Sequence, residues 1–548
     1  MRGLFIIVFS LLLPLTALPQ KLAENCYWIR LKDKAGNQYT LNNPETFLSE
    51  RSIERRMKQG IPVTIEDMPV SQIYIDSLEN LGLKILGISR WFNSVVIEST
   101  DYLLLDTLDN ISFISEFNPF IPLKKSKNEP SALKKDKFIN DFDSILSLDY
   151  GLSFSQTTML NGQFLHNSGF LGGGKQIAVI DGGFYQANTI SAFDSVWENG
   201  QILGYRDFSH SKTDFFNTSS HGMSVLSTMA ANIPGKMIGT APLASYYLLK
   251  SEIVESETKL EEAYWVMAAE FADSAGVDII TSSLGYSEFD EPDMDYTYND
   301  MDGKTALCTQ AAEKAFSKGM VVIVSAGNSG NKSWHYITAP SDGANVLAIG
   351  ATDTLKRVVP FSSRGPSPDS RVKPDILAVG YKTIIVHSSG SLVEGYGTSF
   401  SAPQIAGMMA CLWEAEPDKT NSELINAVRT SASHFLHPND SMGFGVPDFQ
   451  LALLLLQRIS GEVPEGELQV MPNPNSGIFE VYSDKLQNST AKIGLYNLLG
   501  EQIYSGETDF DGGYARITEM SNQNEGFYII VAESGGKKHI GSFIITLP

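Results

Sequence analysis

Four residues of this 548-residue chain carry side chains that could together cleave an acyl bond: Asp181, His221, Asn328 and Ser399. Hydrolysis by a serine needs a base within hydrogen-bond reach of the hydroxyl, an acid that orients the base, and donors aimed at the oxyanion. Taken singly, each residue has a plainer reading. Asp181 closes "KQIAVID" ahead of Gly182 and Gly183, where an Asp-Gly pair marks a turn. His221 opens the helix-like "HGMSVLSTMAAN" as a capping or surface histidine would, and Asn328 closes "MVVIVSAGNSG" as a turn residue would. Ser399 stands before a helix like an N-cap. The conjunction carries the chemistry, because all four fall where strands end or helices begin, and ligands of open α/β sheets sit beyond the carboxyl ends of the strands.

The stretch "GYGTSFSAPQIAGMMACLW" offers two serines, Ser399 and Ser401. Ser399 is the better nucleophile, since at the helix mouth its N–H is one of the unpaired donors facing any developing negative charge, whereas Ser401 falls inside the first turn. Pro403 agrees with that register: it lacks the N–H that would bond the Ser399 carbonyl, which a first turn tolerates. Ser401 then reads as a packing residue.

The elements that must position these residues are legible as alternation. From about Tyr150, the apolar runs "KQIAVID", "ASYYLLK", "VDIITSSLG", "MVVIVSAGN" and "NVLAIGA" alternate with helix-like stretches such as "KLEEAYWVMAAEFADSAG" and "KTALCTQAAEKAFSKG". This predicts an α/β fold, a mostly parallel sheet flanked by helices. Ahead of it, residues 21–123 combine one helix candidate, "PETFLSERSIERRMKQG", with strand-like "LKILGISRWFNSVVIEST", a small α+β unit. Residues 124–149 have the polar composition of an exposed linker. After "GEVPEGE" the helical pattern gives way to short β runs, which predicts an all-β sandwich over 461–548 behind a main domain at 150–460.

A net charge of −22 speaks against nucleic acid or an anionic membrane as partner. The start, Arg2 followed by "LFIIVFSLLLPLTAL", matches a secretory signal peptide over residues 1–20, and no later run has the length of a membrane span. Cys26, Cys308 and Cys411 are too few and too far apart for a disulfide framework or a CxxC metal site, so no metal ligands are assigned, and burial is expected for Cys308 and Cys411.

The blocks "IAVIDGG", "SSHGMSV", "SSLG", "SAGNSG" and "GTSFSAPQIAG", in this order, resemble the signature blocks of the subtilisin-like serine peptidases. The order Asp, His, Ser is also theirs. The resemblance implies Ser399 as nucleophile, His221 as general base and then acid, Asp181 as the residue holding the imidazole tautomer, and Asn328 as oxyanion donor beside the Ser399 N–H. It further implies that Ser283, Leu284, Gly285, Ala326 and Gly327 contact an extended protein or peptide substrate. Gly182, Met223 and "SFSAP" depart from the commonest pattern without replacing a catalytic atom. No cofactor is required for such catalysis; structural calcium is compatible with the family, with the acidic run at 287–303 as an oxygen source, although a solvated loop is the plainer reading of that run.

Residues 21–123 resemble the propeptides of secreted bacterial relatives, which implies a folding aid that occupies the cleft as inhibitor until it is cut. The C-terminal "PNPNSGIFEV" and "GKKHIGSFII" are similar to sorting domains of the type IX (Por) secretion system, which implies export to the cell surface or medium. The expected function is a secreted serine endopeptidase working through an acyl-enzyme. The alternative is a catalytically inactive relative that binds peptides or serves as a surface adhesin.

Overall fold

The computed structural model describes residues 25–120, 148–210, 213–435, 437–459, 468–472, 475–483, 485–497, 501–524 and 526–545. The signal-peptide stretch, nearly all of the expected linker and the "GEVPEGE" segment lie outside the described residues.

The N-terminal unit is a four-stranded antiparallel sheet of β1 (Cys26–Leu31), β2 (Lys84–Ser89), β3 (Ser94–Glu98) and β4 (Ile114–Pro119), in the order β2-β3-β1-β4. It carries helices α1 (Glu50–Lys58) and α2 (Gln72–Asn80). The helix candidate of the sequence is α1, whose first turn is capped by Ser49 accepting from the Ser52 N–H. Side chains of a strand alternate between faces, and here both faces are buried. Tyr27, Ile29, Leu31, Val95 and Ile97 form a small core with Ile75 and Leu78 of α2. Cys26, Trp28 and Val96 point the other way and join the core of the main domain.

That domain is built on seven parallel strands: β5 (Gln176–Asp181), β6 (Ile202–Asp207), β7 (Ser245–Lys250), β8 (Ile279–Ser282), β9 (Val321–Ser325), β10 (Leu347–Thr352) and β11 (Ile376–Val379). Their order is β11-β10-β9-β8-β5-β7-β6, and every pair is parallel. Apart from the edge strand β6, where Leu203 and Tyr205 are exposed, the strands are buried on both sides, which is why their sequences are apolar runs. Ile177 and Val179 of β5 face the layer of α3 (His221–Ala230) and α6 (Thr398–Ala415), while Ala178 and Ile180 face α4 (Lys259–Ala275) and α5 (Leu307–Ser317). The second layer is the one the N-terminal sheet covers. Helix α4 ends where Gly276 turns left-handed at φ 87°, a conformation an L side chain rarely adopts.

The run "LALLLLQ" belongs to α7 (Phe449–Ile459), whose Ala452, Leu453 and Leu456 are buried as a core helix requires. No helix among the described residues is long and apolar enough to cross a membrane. Two antiparallel sheets follow with a core of their own, one of three strands and one of four, as the turn-separated β runs predict. All three cysteines are buried, and none of them is in a disulfide.

Candidate active site

Strand register brings the chemistry to one edge of the sheet. Ser282 of β8 lies level with Ile180 of β5 and with Val324 of β9, so Asp181, Ser283 and Ser325 leave the sheet side by side at its C-terminal lip. Asp181 is fully buried, and its Oδ1 accepts the Gly182 N–H at 2.7 Å and pairs with His221 Nδ1 at 2.7 Å. Its Oδ2 has no partner among the described atoms. Glycines make this approach possible. A Cβ on Gly222 would fall 2.6 Å from the Gly183 carbonyl oxygen and 2.8 Å from Asp181 Cβ, so any larger residue after His221 would push α3 off the acid.

A hydrogen bond from Nδ1–H to the carboxylate fixes the His221 tautomer and leaves Nε2 as the basic nitrogen. The imidazole side chain is 38% exposed, while the carboxylate behind it is sealed. Burial disfavours the imidazolium, yet the charge and hydrogen bond of Asp181, with Glu252 adding to them, outweigh it and raise the His221 pKa above its ordinary value.

Helix α6 starts at Thr398 with Gly397 as its N-cap, which corrects the N-cap reading of Ser399: it is the second helical residue. Its N–H still belongs to the first turn, where backbone donors have no partner within the helix. The His221 ring lies 6.1 Å from that of Phe400, centroid to centroid, which brings α3 beside the start of α6. Pro403 also falls deeper than expected, at the sixth helical position rather than in the first turn. The helix accommodates it because the Ser399 carbonyl, which Pro403 cannot bond, accepts a hydrogen bond from Ser283 Oγ at 2.8 Å. Ser401 is fully buried, with its hydroxyl 3.3 Å from the Ala378 carbonyl of β11, a packing position as the sequence suggests.

Asn328 is exposed, and its amide is oriented by Thr398, whose N–H and hydroxyl both donate to Oδ1 at 2.9 and 3.1 Å. The Nδ2 donors are thereby left to other acceptors. Thr398 Oγ1 in turn accepts the Gly327 N–H at 3.2 Å, tying the loop after β9 to the helix start. Ser283, Leu284 and Gly285 continue β8, and Ala326 and Gly327 continue β9, so the five residues assigned to substrate flank the same helix start.

Two features escape a reading by motif. Thr398 orients Asn328, which only the folded loop reveals. Glu252 stands two residues beyond β7 at the same lip; its Oε1 accepts from Tyr286 at 2.6 Å and Ser251 at 3.0 Å, and its stem faces Gly182. Burial pushes its pKa up to about 7. A charged residue closing the run "ASYYLLKSE" was the available signal. The acidic run at 287–303 does not gather carboxylates as a calcium site needs. Among the described residues the oxygens that converge, within 4.8 Å, belong to Glu252, Glu257 and Glu261. Burial raises all three pKa values, and the charge of Glu252 adds to it at the other two, with Glu257 reaching about 8 and Glu261 about 10.

Comparison with known proteins identifies the chain's relatives. Residues 172–445, half of the chain, match the subtilase family; residues 26–136 match the peptidase S8 propeptide domain of Bacteroidota; residues 469–546 match a secretion system C-terminal sorting domain. Subtilisin E of Bacillus subtilis is 28% identical over 317 residues, covering 57% of this chain and 73% of that protein. Serine protease AprX of the same species is 27% identical over 328 residues, covering 54% and 69%. In fold, the chain is similar to the epidermin leader peptide processing serine protease EpiP of Staphylococcus aureus, with a TM-score of 0.51 at 15% identity over 79% of this chain and 99% of that one. The chain therefore belongs to the subtilase family of serine endopeptidases, with a propeptide domain before the peptidase domain and a secretion sorting domain after it.

Proposed function

We propose that this protein is an exported endopeptidase that hydrolyses peptide bonds through Ser399, His221 and Asp181. The observation that carries the reading is the 2.7 Å bond between buried Asp181 and half-exposed His221, set beside the start of α6. His221 Nε2 takes the Ser399 hydroxyl proton as the oxygen attacks the scissile carbonyl, and then delivers it to the leaving amine. The resulting acyl-enzyme is hydrolysed by a water that His221 activates in the same way. The oxyanion is stabilised by the Ser399 N–H and Asn328 Nδ2. Ser283, Leu284, Gly285, Ala326 and Gly327 pair with the extended substrate. Protein groups, backbone N–H included, and water supply every step.

The N-terminal unit, 21–123, acts as folding template and cleft inhibitor, and the linker at 124–149 is where it is cut. Residues 150–460 are the peptidase domain, and residues 461–548 direct the chain across the outer membrane through the type IX machinery. The matches to a propeptide domain and a sorting domain support these roles. The experiment is to treat the processed protein with a serine-directed sulfonyl fluoride and locate the adduct by peptide mass spectrometry. A single adduct on Ser399 that is lost in His221→Ala is expected. An adduct on Ser401, or none on folded protein freed of its N-terminal unit, overturns the assignment.

A further inference from the structure

At the end of the sheet away from the cleft, helix α1 meets the loops that enter β5 and β8. Arg51 donates from Nε to the Gly276 carbonyl at 2.9 Å and from Nη2 to the Gly174 carbonyl at 2.8 Å, and it pairs with Asp278. Gln59, just past α1, donates to the Gly319 carbonyl at 2.8 Å and accepts the Asn421 N–H at 3.0 Å. Between these anchors lies a cavity of about 270 Å³, walled on one side by the N-terminal unit and on the other by the peptidase domain. Trp413, in the last turn of α6, lines it, and the Lys175 ammonium lies over the indole, 5.0 Å from the ring centroid.

The cavity is positive in a chain whose net charge is −22. Five basic side chains line it, Arg51, Arg55, Lys58, Lys175 and Lys419, against the three acids Glu54, Asp278 and Glu414. Asp278 is engaged by Arg51 and by the Gln176 N–H at 2.8 Å, and Glu414 by the Gly172 N–H at 2.7 Å. Arg55 is held by Asp273. Lys58 and Lys175 have no carboxylate within ion-pair distance among the described residues, and Lys419 reaches Glu423 only at 3.7 Å. Burial lowers the pKa of Lys175; Asp278 opposes that shift, while Arg51 and Lys58 add to it. Like charges gathered around one cavity repel each other, and an anion among them removes the repulsion. A Cβ on Gly174 would meet nothing within 4 Å, so the backbone beside Lys175 leaves the way in open.

We propose that this cavity binds a small divalent oxyanion, inorganic phosphate being its simplest form, through Lys58 of the N-terminal unit and Lys175 of the peptidase domain. Both ammonium groups serve as point charges, and Arg51 adds Nη1, which has no partner among the described residues. Because the two lysines stand on either side of the junction, the complete site exists only while the N-terminal unit is seated. By linkage, the anion then holds the unit in place. Lys175 precedes β5 and Asp181 ends it, about 20 Å away along six residues of extended chain, so a substrate in the cleft does not compete for the site.

The test titrates inorganic phosphate, at fixed ionic strength, into the full chain carrying Ser399→Ala and shown by mass to be uncut, and follows both the heat of binding and the thermal midpoint. One saturable site per chain is expected, displaced by sulfate, with a thermal midpoint that rises with the logarithm of phosphate concentration. Lys175→Gln and Lys58→Gln are each expected to weaken binding at least about tenfold, the scale of one hydrogen bond to a charged group. Lys382→Gln, at an exposed lysine paired with Glu394, is expected to bind as the parent does. If Lys175→Gln fails to fold, Lys58→Gln alone must show the loss. No saturable binding, or binding that the lysine variants keep within about twofold, overturns the site and assigns Lys58 and Lys175 to the negative carboxyl-terminal ends of α1 and α6.

Discussion

Two buried carboxylates, one on each helical layer's side of the same sheet, are treated in opposite ways. At the cleft, Asp181 has a single charged partner, His221, and one oxygen without any partner. Under the N-terminal unit, Asp273 of α4 receives Arg55, Arg56 and Arg90, with Arg56 at 2.8 Å and also bridging to Asp67 at 3.1 Å. Arg51 pairs with Asp278 nearby, and Glu270 accepts the Arg90 and Trp91 N–H groups and the Ser89 hydroxyl. A saturated carboxylate locks two pieces of chain together, because removing one partner strands several charges. An unsaturated one can respond when its histidine gains and loses a proton. Burial alone does not tell structural acids from functional ones; the completeness of their bonding does.

The difference is sharpest if the cleft is broken first. His221→Ala should lower kcat/KM by at least about 10⁴-fold with little loss of thermal stability, as measured on matched active-site preparations. A loss of less than about tenfold would mean the Asp181–His221 pair is structural after all. Asn328→Ala should cost about 10²- to 10³-fold in kcat with a small change in KM, the mark of a donor used in the transition state. An equal change confined to KM would assign Asn328 to substrate binding instead.

On the other side of the sheet, Asp273→Asn should leave kcat/KM of the processed enzyme nearly unchanged. It should weaken inhibition by the separately added N-terminal unit by about 10²-fold or more, as expected when a buried charge pair loses one member. Inhibition constants that match the wild type would show that apolar contacts of Trp28 and Val96 dominate the docking. Burial works against the Asp273 carboxylate, but Arg90, Arg56 and Arg55 together depress its pKa. A depressed pKa places its contribution to docking fully above the ordinary aspartate range and removes it only as pH falls through the lowered value. Docking through this residue should therefore be flat across neutral pH.

The smallest expected effect is on the pH profile. His221 must be neutral to accept a proton, and its pKa is raised, so the acidic limb of kcat/KM should lie above the ordinary imidazole value of about 6.5. Glu252→Gln removes one of the negative charges that hold it there and should move the limb to lower pH by a fraction of a unit. A limb that does not move would limit Glu252 to its bonds with Tyr286 and Ser251.

Much of this was readable in advance for a physical reason. Strands buried on both faces must be continuous apolar runs, so β5, β8 and β9 were visible, and with them the points at which Asp181, Ser283 and Asn328 leave the sheet. The glycines of "DGG" and "HG" were visible too, though their purpose, the contact between Gly222 and Asp181, was not. The helix start at Thr398 was misplaced by two residues because Gly397 and Ser399 are both acceptable N-caps on local grounds, and Pro403 could not arbitrate once a hydroxyl from β8 satisfied the carbonyl it left free.

The sequence by itself determined the layered α/β architecture and the flanking units, and it singled out the proposed acid, base and nucleophile, because each rests on local periodicity or on residue types in fixed order. Tertiary structure alone decided that Thr398 orients Asn328, that Ser283 supports Pro403, that Glu252 joins the lip, and that three arginines meet on Asp273. Each of these contacts joins residues apart along the chain whose types carry no signal for one another; the register of the parallel strands brings those at the cleft within bonding distance, and the packing of the N-terminal unit on α4 brings the arginines to Asp273.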